Sequence, residues 1–220
     1  MDQFLARLAE VDACAVSDAL DREGLAGVAL GLHALSGGRR VVGRAVTVQL
    51  DLDDGREKKR HLCTAAVDSS DSGSIIVVAH NGRVDVAGWG GILSLAAKRR
   101  GVAGVVIDGA CRDLDESREM GLPVYARAAV PVTARGRVIE TGWNEEVTIG
   151  GVRVAPGDYV IADGSGVVFV PSSRIEQVLA LAERIVARER LMAAAVLGGE
   201  PVADVMGANY ETMLDDGSAR

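Results

Sequence analysis

Arg112 and Asp113 stand at the end of Gly104-Val105-Val106-Ile107-Asp108-Gly109-Ala110-Cys111, and Gly90-Gly91-Ile92-Leu93 opens the helical stretch that precedes it. If that helix packs beside the apolar strand, helix N-terminal N–H groups, a guanidinium and a carboxylate converge near one strand end. Such a group suits a small anionic substrate together with a metal ion. Arg112 can grip a carboxylate bidentately, or pair with Asp115 or Glu116. Asp113 can ligate a hard cation, or simply N-cap a helix beginning Leu114-Asp115-Glu116. Gly90-Gly91 taken alone is only a tight helix entry. Asp108 reads first as closing the turn after Ile107 and second as orienting Arg112. Cys111 reads as a packing residue, because no histidine lies near it in sequence. Trp89 and Trp143 either line a pocket or pack in a core.

The rest of the composition narrows the chemistry. The chain has three lysines. Lys58 and Lys59 sit in a charged run and Lys98 in the basic last turn of a helix, so none has the desolvated setting a Schiff-base lysine requires. His33, His61 and His80 are scattered without HxH or HExxH spacing, which argues against zinc and makes each a surface or satisfied structural histidine. A hard divalent ion held by very few oxygen ligands is what remains, with Asp113 as the leading ligand.

The elements that must position these residues follow from pattern. At 220 residues and 48% apolar, the chain can bury roughly 70% of the surface its unfolded form exposes, enough for one substantial domain. A net charge of −7 disfavours a nucleic-acid surface. Three cysteines without metal-like spacing and an N-terminus without a basic, apolar signal point to reduced thiols in a cytoplasm. No apolar run approaches the roughly 18 residues of a membrane span. The runs Arg39-Arg40, Lys58-Lys59-Arg60 and Lys98-Arg99-Arg100 read as solvated surface.

Apolar spacing from Phe4 to Leu20 predicts an N-terminal helix closed by Gly24 and Gly27. A strand is expected over Val41–Leu50, a helix over Lys58–Val67, a buried strand over Ser74–Ala79, a helix over Gly91–Arg100 and a strand over Ala103–Ile107. This βαβα order implies parallel pairing. From Pro123 the pattern is mostly β, over Pro123–Ala126, Glu146–Val154, Tyr159–Ala162 and Val167–Val170. A long helix then starts at Ser172 or Ser173, with Glu176 completing a capping box and Ile175, Val178, Leu179, Leu181, Ala182, Ile185 and Val186 facing the core. Residues 1–200 read as one domain and 201–220 as a segment that reaches a neighbouring subunit.

These stretches together resemble the RraA-like family, which includes 4-hydroxy-4-methyl-2-oxoglutarate / 4-carboxy-4-hydroxy-2-oxoadipate aldolases and the ribonuclease E inhibitor RraA. The resemblance runs from Val16-Ser17-Asp18-Ala19-Leu20 through Val42-Gly43-Arg44-Ala45-Val46-Thr47-Val48, the Gly90 to Asp113 region and Pro156-Gly157-Asp158-Tyr159-Val160-Ile161-Ala162-Asp163 to Gly166-Val167-Val168-Phe169-Val170-Pro171. It implies a single-domain α/β/β/α sandwich resembling the swivelling phosphohistidine domain, assembled as a homotrimer or hexamer with sites at subunit interfaces. It implies that the backbone of Gly90, Gly91, Ile92 and Leu93 holds the pyruvyl end of a small 2-oxo acid, that Arg112 binds the substrate, and that Asp113 binds Mg2+, Mn2+ or another divalent cation.

The activity so implied is cleavage of a 4-hydroxy-2-oxo acid to pyruvate through a metal-bound enolate, with oxaloacetate decarboxylation as a side activity. Such charge is stabilised more in the transition state than in the ground state. RraA itself lacks the aspartate of the Arg-Asp pair that this chain retains, which favours catalysis over regulation of a ribonuclease or other protein partner. A related enolate-forming reaction in a specialised pathway is the other alternative. A water held by Glu200 or Glu211 of a neighbour is the expected base. Many aldolases of the family carry Glu where this chain has Gly91, and the Arg56-Glu57-Lys58-Lys59-Arg60-His61 run replaces a milder segment. That run either faces a dicarboxylate tail or lies on the surface, and the surface is the expectation.

Overall fold

Two aspartates organise the start of the chain. Asp2 accepts a hydrogen bond from the Phe4 N–H at 2.9 Å and starts α1 (Gln3–Leu8), and Asp12 accepts from the Ala15 N–H at 2.8 Å and starts α2 (Ala13–Arg22). The single helix expected over this stretch is therefore two, because Asp12 caps a new helix instead of continuing the first. These elements belong to a computed structural model that describes residues 2–56 and 60–207.

After α2 come β1 (Val28–Ala29), β2 (His33–Ser36), β3 (Val41–Leu52), α3 (Thr64–Ser69), β4 (Ser74–Trp89) and α4 (Gly91–Arg100). Next are β5 (Gly104–Cys111), α5 (Leu114–Glu119), β6 (Val124–Ala129), β7 (Val138–Trp143), β8 (Val147–Ile149) and β9 (Val152–Val154). The chain continues through β10 (Tyr159–Asp163), β11 (Gly166–Val170), a 3-10 turn (Ser172–Arg174), α6 (Ile175–Leu197) and α7 (Val202–Val205).

The large sheet has nine strands in the order β1-β11-β10-β3-β4-β5-β6-β2, with β7 pairing the far end of β3. Strands β3 to β6 run parallel, as the alternation of strands and helices implies, while β10, β11, β1, β2 and β7 pair antiparallel.

Side-chain alternation divides the core into layers. On β4, Ile76 and Val78 pack with Val67 of α3 and Ala97 of α4. Ile75, Val77 and Ala79 point the other way, onto Val160 and Ala162 of β10, Phe169 of β11 and the β8–β9 hairpin. The alternate residues of β10, Tyr159 and Ile161, face α2 and α6. Two β layers thus meet across a shared core with helices outside both, giving the α/β/β/α arrangement in one mixed α/β domain. Ile75, Ile76, Val77 and Val78 are all fully buried, each worth roughly 1.5–3 kcal/mol of transfer free energy, which is why β4 is continuously apolar here.

Several boundaries differ from expectation. Of the helix expected over Lys58–Val67, residues 58 and 59 lie outside the described ones, and helix α3 begins only at Thr64 after a left-handed Cys63 (φ 63°). Strand β4 continues ten residues past Ala79 through register shifts at Arg83 and Ala87. Strand β5 continues through Gly109 to Cys111, so no turn follows Ile107. Gly109 is needed there because a Cβ would meet the His80 ring and, at 2.8 Å, the Arg83 carbonyl oxygen. The expected capping box is absent: α6 has no side-chain cap, and the Ser172 N–H donates instead to Asp158 at 2.9 Å. Its predicted stripe is otherwise correct, with Ile175, Val178, Leu179, Ala182 and Ile185 buried and Leu181 and Val186 packed at the margin.

Candidate active site

The site forms where β4 hands over to α4 and β5 hands over to α5. Gly90 is extended (φ −157°) and α4 starts at Gly91. The first intrahelical bond runs from the Ser94 N–H to the Gly90 carbonyl at 3.0 Å, so the N–H groups of Gly91, Ile92 and Leu93 precede it. One of these is already used: Gly91 N–H donates to Asp113 Oδ2 at 2.8 Å. The anion-binding row left for a ligand is therefore Ile92 and Leu93, with Gly91 committed to holding the aspartate.

Asp113 sits at the N-cap position of α5 but does not cap it with its side chain. Its backbone is left-handed (φ 57°, ψ 43°), a conformation Asp tolerates better than most residues, and this turns the carboxylate away from α5 onto α4. Arg112 pairs with Asp113 (Nε to Oδ2, 3.3 Å) and not with Asp115 or Glu116, and both side chains are about one-third exposed (38% and 34%). Gly90 permits this closeness. A Cβ there would lie 2.9 Å from Asp113 Oδ2 and 3.1 Å from Arg112 Nε. At Gly91 a Cβ would collide with Glu116 Oε2, so a second carboxylate fills the space that a side chain at position 91 would take.

A buried relay underneath fixes the corner. Trp89 Nε1 donates to Ser94 Oγ at 2.8 Å, Ser94 Oγ lies 3.0 Å from Ser117 Oγ, and Ser117 Oγ donates to the Asp113 carbonyl at 3.3 Å. The Arg112 N–H adds a bond to the Trp89 carbonyl at 3.0 Å. Sequence reasoning missed Ser94 and Ser117; their spacing of three and four residues from Gly91 and Asp113 is the only signal that could have found them.

Asp108 does neither thing expected of it. It lies within β5, where it accepts from Arg127 Nε and from the Gly150 N–H (2.8 Å), tying β6 and the β8–β9 hairpin together away from Arg112. Cys111 is a packing residue as expected: its thiol is buried, which pushes its pKa up to about 11, and it donates weakly to the Ala128 carbonyl. His80 is buried and satisfied by the Val86 carbonyl (2.9 Å), and burial lowers its pKa.

Arg112, Asp113 and Gly90 to Leu93 line a cavity of about 770 Å3. The rest of the lining was not expected. It includes Arg60 and His61 from the run read as surface, and Glu140, Trp143 and their neighbours from β7, a strand absent from the sequence reading. Glu140 accepts from Arg60 Nε and from the Cys63 N–H, both at 2.7 Å, and the Arg60 guanidinium lies over the Trp143 ring at 5.4 Å. Both tryptophans line the cavity.

Among the described residues, no three His, Cys, Asp or Glu side chains gather as a metal centre. One carboxylate, with a second beside Gly91, fits only a hard cation that completes its shell with water and substrate oxygens. No helix among the described residues is long and apolar enough to cross a membrane. Glu200 is exposed, and Glu211 lies outside the described residues.

Known proteins share this architecture. The chain is 31% identical over 185 residues to "Putative 4-hydroxy-4-methyl-2-oxoglutarate aldolase" of Halalkalibacterium halodurans, covering 82% of each chain. It is 31% identical over 179 residues to Protein DlpA of Legionella pneumophila, of which the match spans 29% of the length and 81% of this chain. The crystal structure of Streptomyces coelicolor RraAS2, described as an unusual member of the RNase ES inhibitor RraA protein family, superposes with a TM-score of 0.78 at 27% identity, covering 87% of this chain and 96% of that one. The RraA-like family profile (Aldolase/RraA) matches residues 13–169, and the chain belongs to that family.

Proposed function

We propose that this protein is a carbon–carbon lyase that releases pyruvate from a 4-hydroxy-2-oxo acid at the corner formed by Gly90 to Leu93, Arg112 and Asp113. The observation that carries the reading is the Gly91 N–H to Asp113 bond beside Arg112, because it aims a carboxylate and a guanidinium at the same point of a cavity whose floor is a helix N-terminus.

The substrate carboxylate is held by the N–H groups of Ile92 and Leu93, where the helix dipole favours an anion. When the C4 hydroxyl gives its proton to a water, C4 becomes the carbonyl carbon of the leaving fragment, the C3–C4 electron pair becomes the C2=C3 double bond and the C2–O π pair moves onto the keto oxygen; a proton returned to C3 then gives pyruvate. Arg112 donates to that oxygen, so its interaction strengthens as charge develops. Asp113 would hold a divalent cation such as Mg2+ or Mn2+, which would add positive charge as the oxygen becomes anionic. The same charge development serves oxaloacetate decarboxylation, in which the C3–C4 bond breaks with loss of CO2.

Ile92 is 81% exposed on α4 at the edge of the site, and Leu95 is exposed on the same helix, which supports assembly of several copies with this corner at their interface. The test is pyruvate release from oxaloacetate and from 4-hydroxy-4-methyl-2-oxoglutarate with Mg2+ or with EDTA. Release that requires the cation supports the lyase. Absence of release with both substrates would shift the reading to a regulator similar to RraAS2.

A further inference from the structure

Cleavage of a 4-hydroxy-2-oxo acid needs a proton acceptor for the C4 hydroxyl, and the groups lining the cavity narrow the choice. The arginines in the lining stay protonated and cannot accept. Asp113 is held by the Gly91 N–H and by Arg112. Glu140 is only 4% exposed, and its two oxygens are taken by Arg60 Nε and the Cys63 N–H. His61 and Glu145 remain. Among the described residues Glu145 is hydrogen-bonded through its carbonyl, which accepts from Thr47 Oγ1 at 2.7 Å, and not through its carboxylate.

His61 is held more fully. Its carbonyl accepts from Thr64 Oγ1 at 2.8 Å, the preceding Arg60 is tied to Glu140, and the following Leu62 and Cys63 are buried. Its Nδ1 lies 3.2 Å from the Leu62 carbonyl oxygen. A carbonyl only accepts, so Nδ1 carries the proton of the neutral ring and Nε2 carries the lone pair. Among the described residues no other group bonds to this ring, which leaves Nε2 as an acceptor on a side chain that lines the cavity.

We propose that His61 Nε2 is the base of the cleavage step, acting through one water; this rests on the lyase reading given above. The C4 hydroxyl proton passes to the water as a proton of that water passes to Nε2. C4 becomes a carbonyl carbon and the C3–C4 electron pair enters the enolate of pyruvate. The imidazolium then returns its proton to bulk water, and C3 takes its proton from solvent. Leu62 is the positioning residue, because its carbonyl fixes which ring nitrogen is bare.

Oxaloacetate separates this role from a structural one, since its C4 leaves as CO2 and no hydroxyl proton has to be removed. His61→Asn, which keeps a donor for the Leu62 carbonyl, is expected to lower kcat for 4-hydroxy-4-methyl-2-oxoglutarate cleavage by about 10² or more and to leave oxaloacetate decarboxylation nearly unchanged. Added imidazole should restore part of the cleavage in His61→Ala. Cleavage that persists in His61→Asn, or equal loss on both substrates in a variant with a native circular dichroism spectrum, overturns the proposal. Wild type that decarboxylates oxaloacetate but cleaves no 4-hydroxy acid also overturns it while leaving enolate formation intact, whereas release from neither substrate is the failure of the lyase reading itself. A second measurement needs neither a variant, a metal nor turnover: long-range proton–nitrogen NMR of wild type at alkaline pH should show the His61 ring with its proton on Nδ1. A proton on Nε2 overturns the proposal.

Discussion

The two sides of the cavity are built differently. The Arg112 side comes from a compact stretch, residues 89–117, in which a buried strand end and two helix starts lie next to one another in sequence and space. The Arg60 side is assembled from a loop and from β7, 80 residues apart, joined through Glu140. The first side is held by backbone geometry, with left-handed Asp113, extended Gly90 and the Gly91 N–H, resting on the buried Trp89–Ser94–Ser117 relay. The second is held by side chains. A reaction centre that must keep its geometry under changing charge benefits from the former, and a recognition wall that distinguishes one ligand tail from another can rest on the latter.

Substitutions that break this comparison should therefore act differently on the two sides. Arg112→Ala is expected to lower kcat/KM for pyruvate release by about 10²–10³, the usual cost of removing a donor to a developing oxyanion, for every substrate that is cleaved. Steady-state kinetics on two substrates with different tails would check that the loss is uniform.

Gly90→Ala tests the backbone side with no change of charge. Its Cβ pushes on Asp113 Oδ2 and on Arg112 Nε and Cγ, so kcat should fall by about 10-fold or more through misplacement alone. Urea unfolding should show little change, since the atoms met belong to partly exposed side chains and not to backbone.

Ser94→Ala removes the acceptor of the buried Trp89 indole N–H and the link to Ser117. A loss of about 1–3 kcal/mol in unfolding free energy is expected, measured by urea titration. A change below about 0.5 kcal/mol would mean that the relay does not hold the corner.

The smallest effect concerns pH. Burial lowers the His80 pKa below its ordinary 6.5, so the unfolded chain takes up this proton first as pH falls. Stability is therefore complete above about pH 6.5 and declines as pH drops from there through the folded-state pKa. His80→Gln should flatten the stability profile in that acidic window and leave it unchanged above neutrality.

How much of this was legible follows the same division. The β4–α4–β5 core announced itself through local periodicity, and the Arg112-Asp113 pair through its place after a buried strand. The N-terminal break was missed because Asp12 reads as one more polar face residue until its side chain is seen capping Ala15. Strand β7 was missed because Val138-Ile139-Glu140-Thr141-Gly142-Trp143 does not alternate cleanly: Glu140 points into the cavity and its register on β3 shifts at Leu50. Arg60 could not be told from a solvated cation without that strand. The left-handed turn at Asp113 takes its side chain away from the α5 cap, and backbone handedness at a single non-glycine residue leaves no mark in composition or spacing.

The central claim is that Asp113 is held by Gly91 for chemistry and not for capping. Pyruvate release from oxaloacetate by Asp113→Asn, alongside circular dichroism of the same sample, tests it most directly. The account expects a native spectrum with Mg2+-dependent release reduced by about 10² or more. A native spectrum with wild-type release would contradict it.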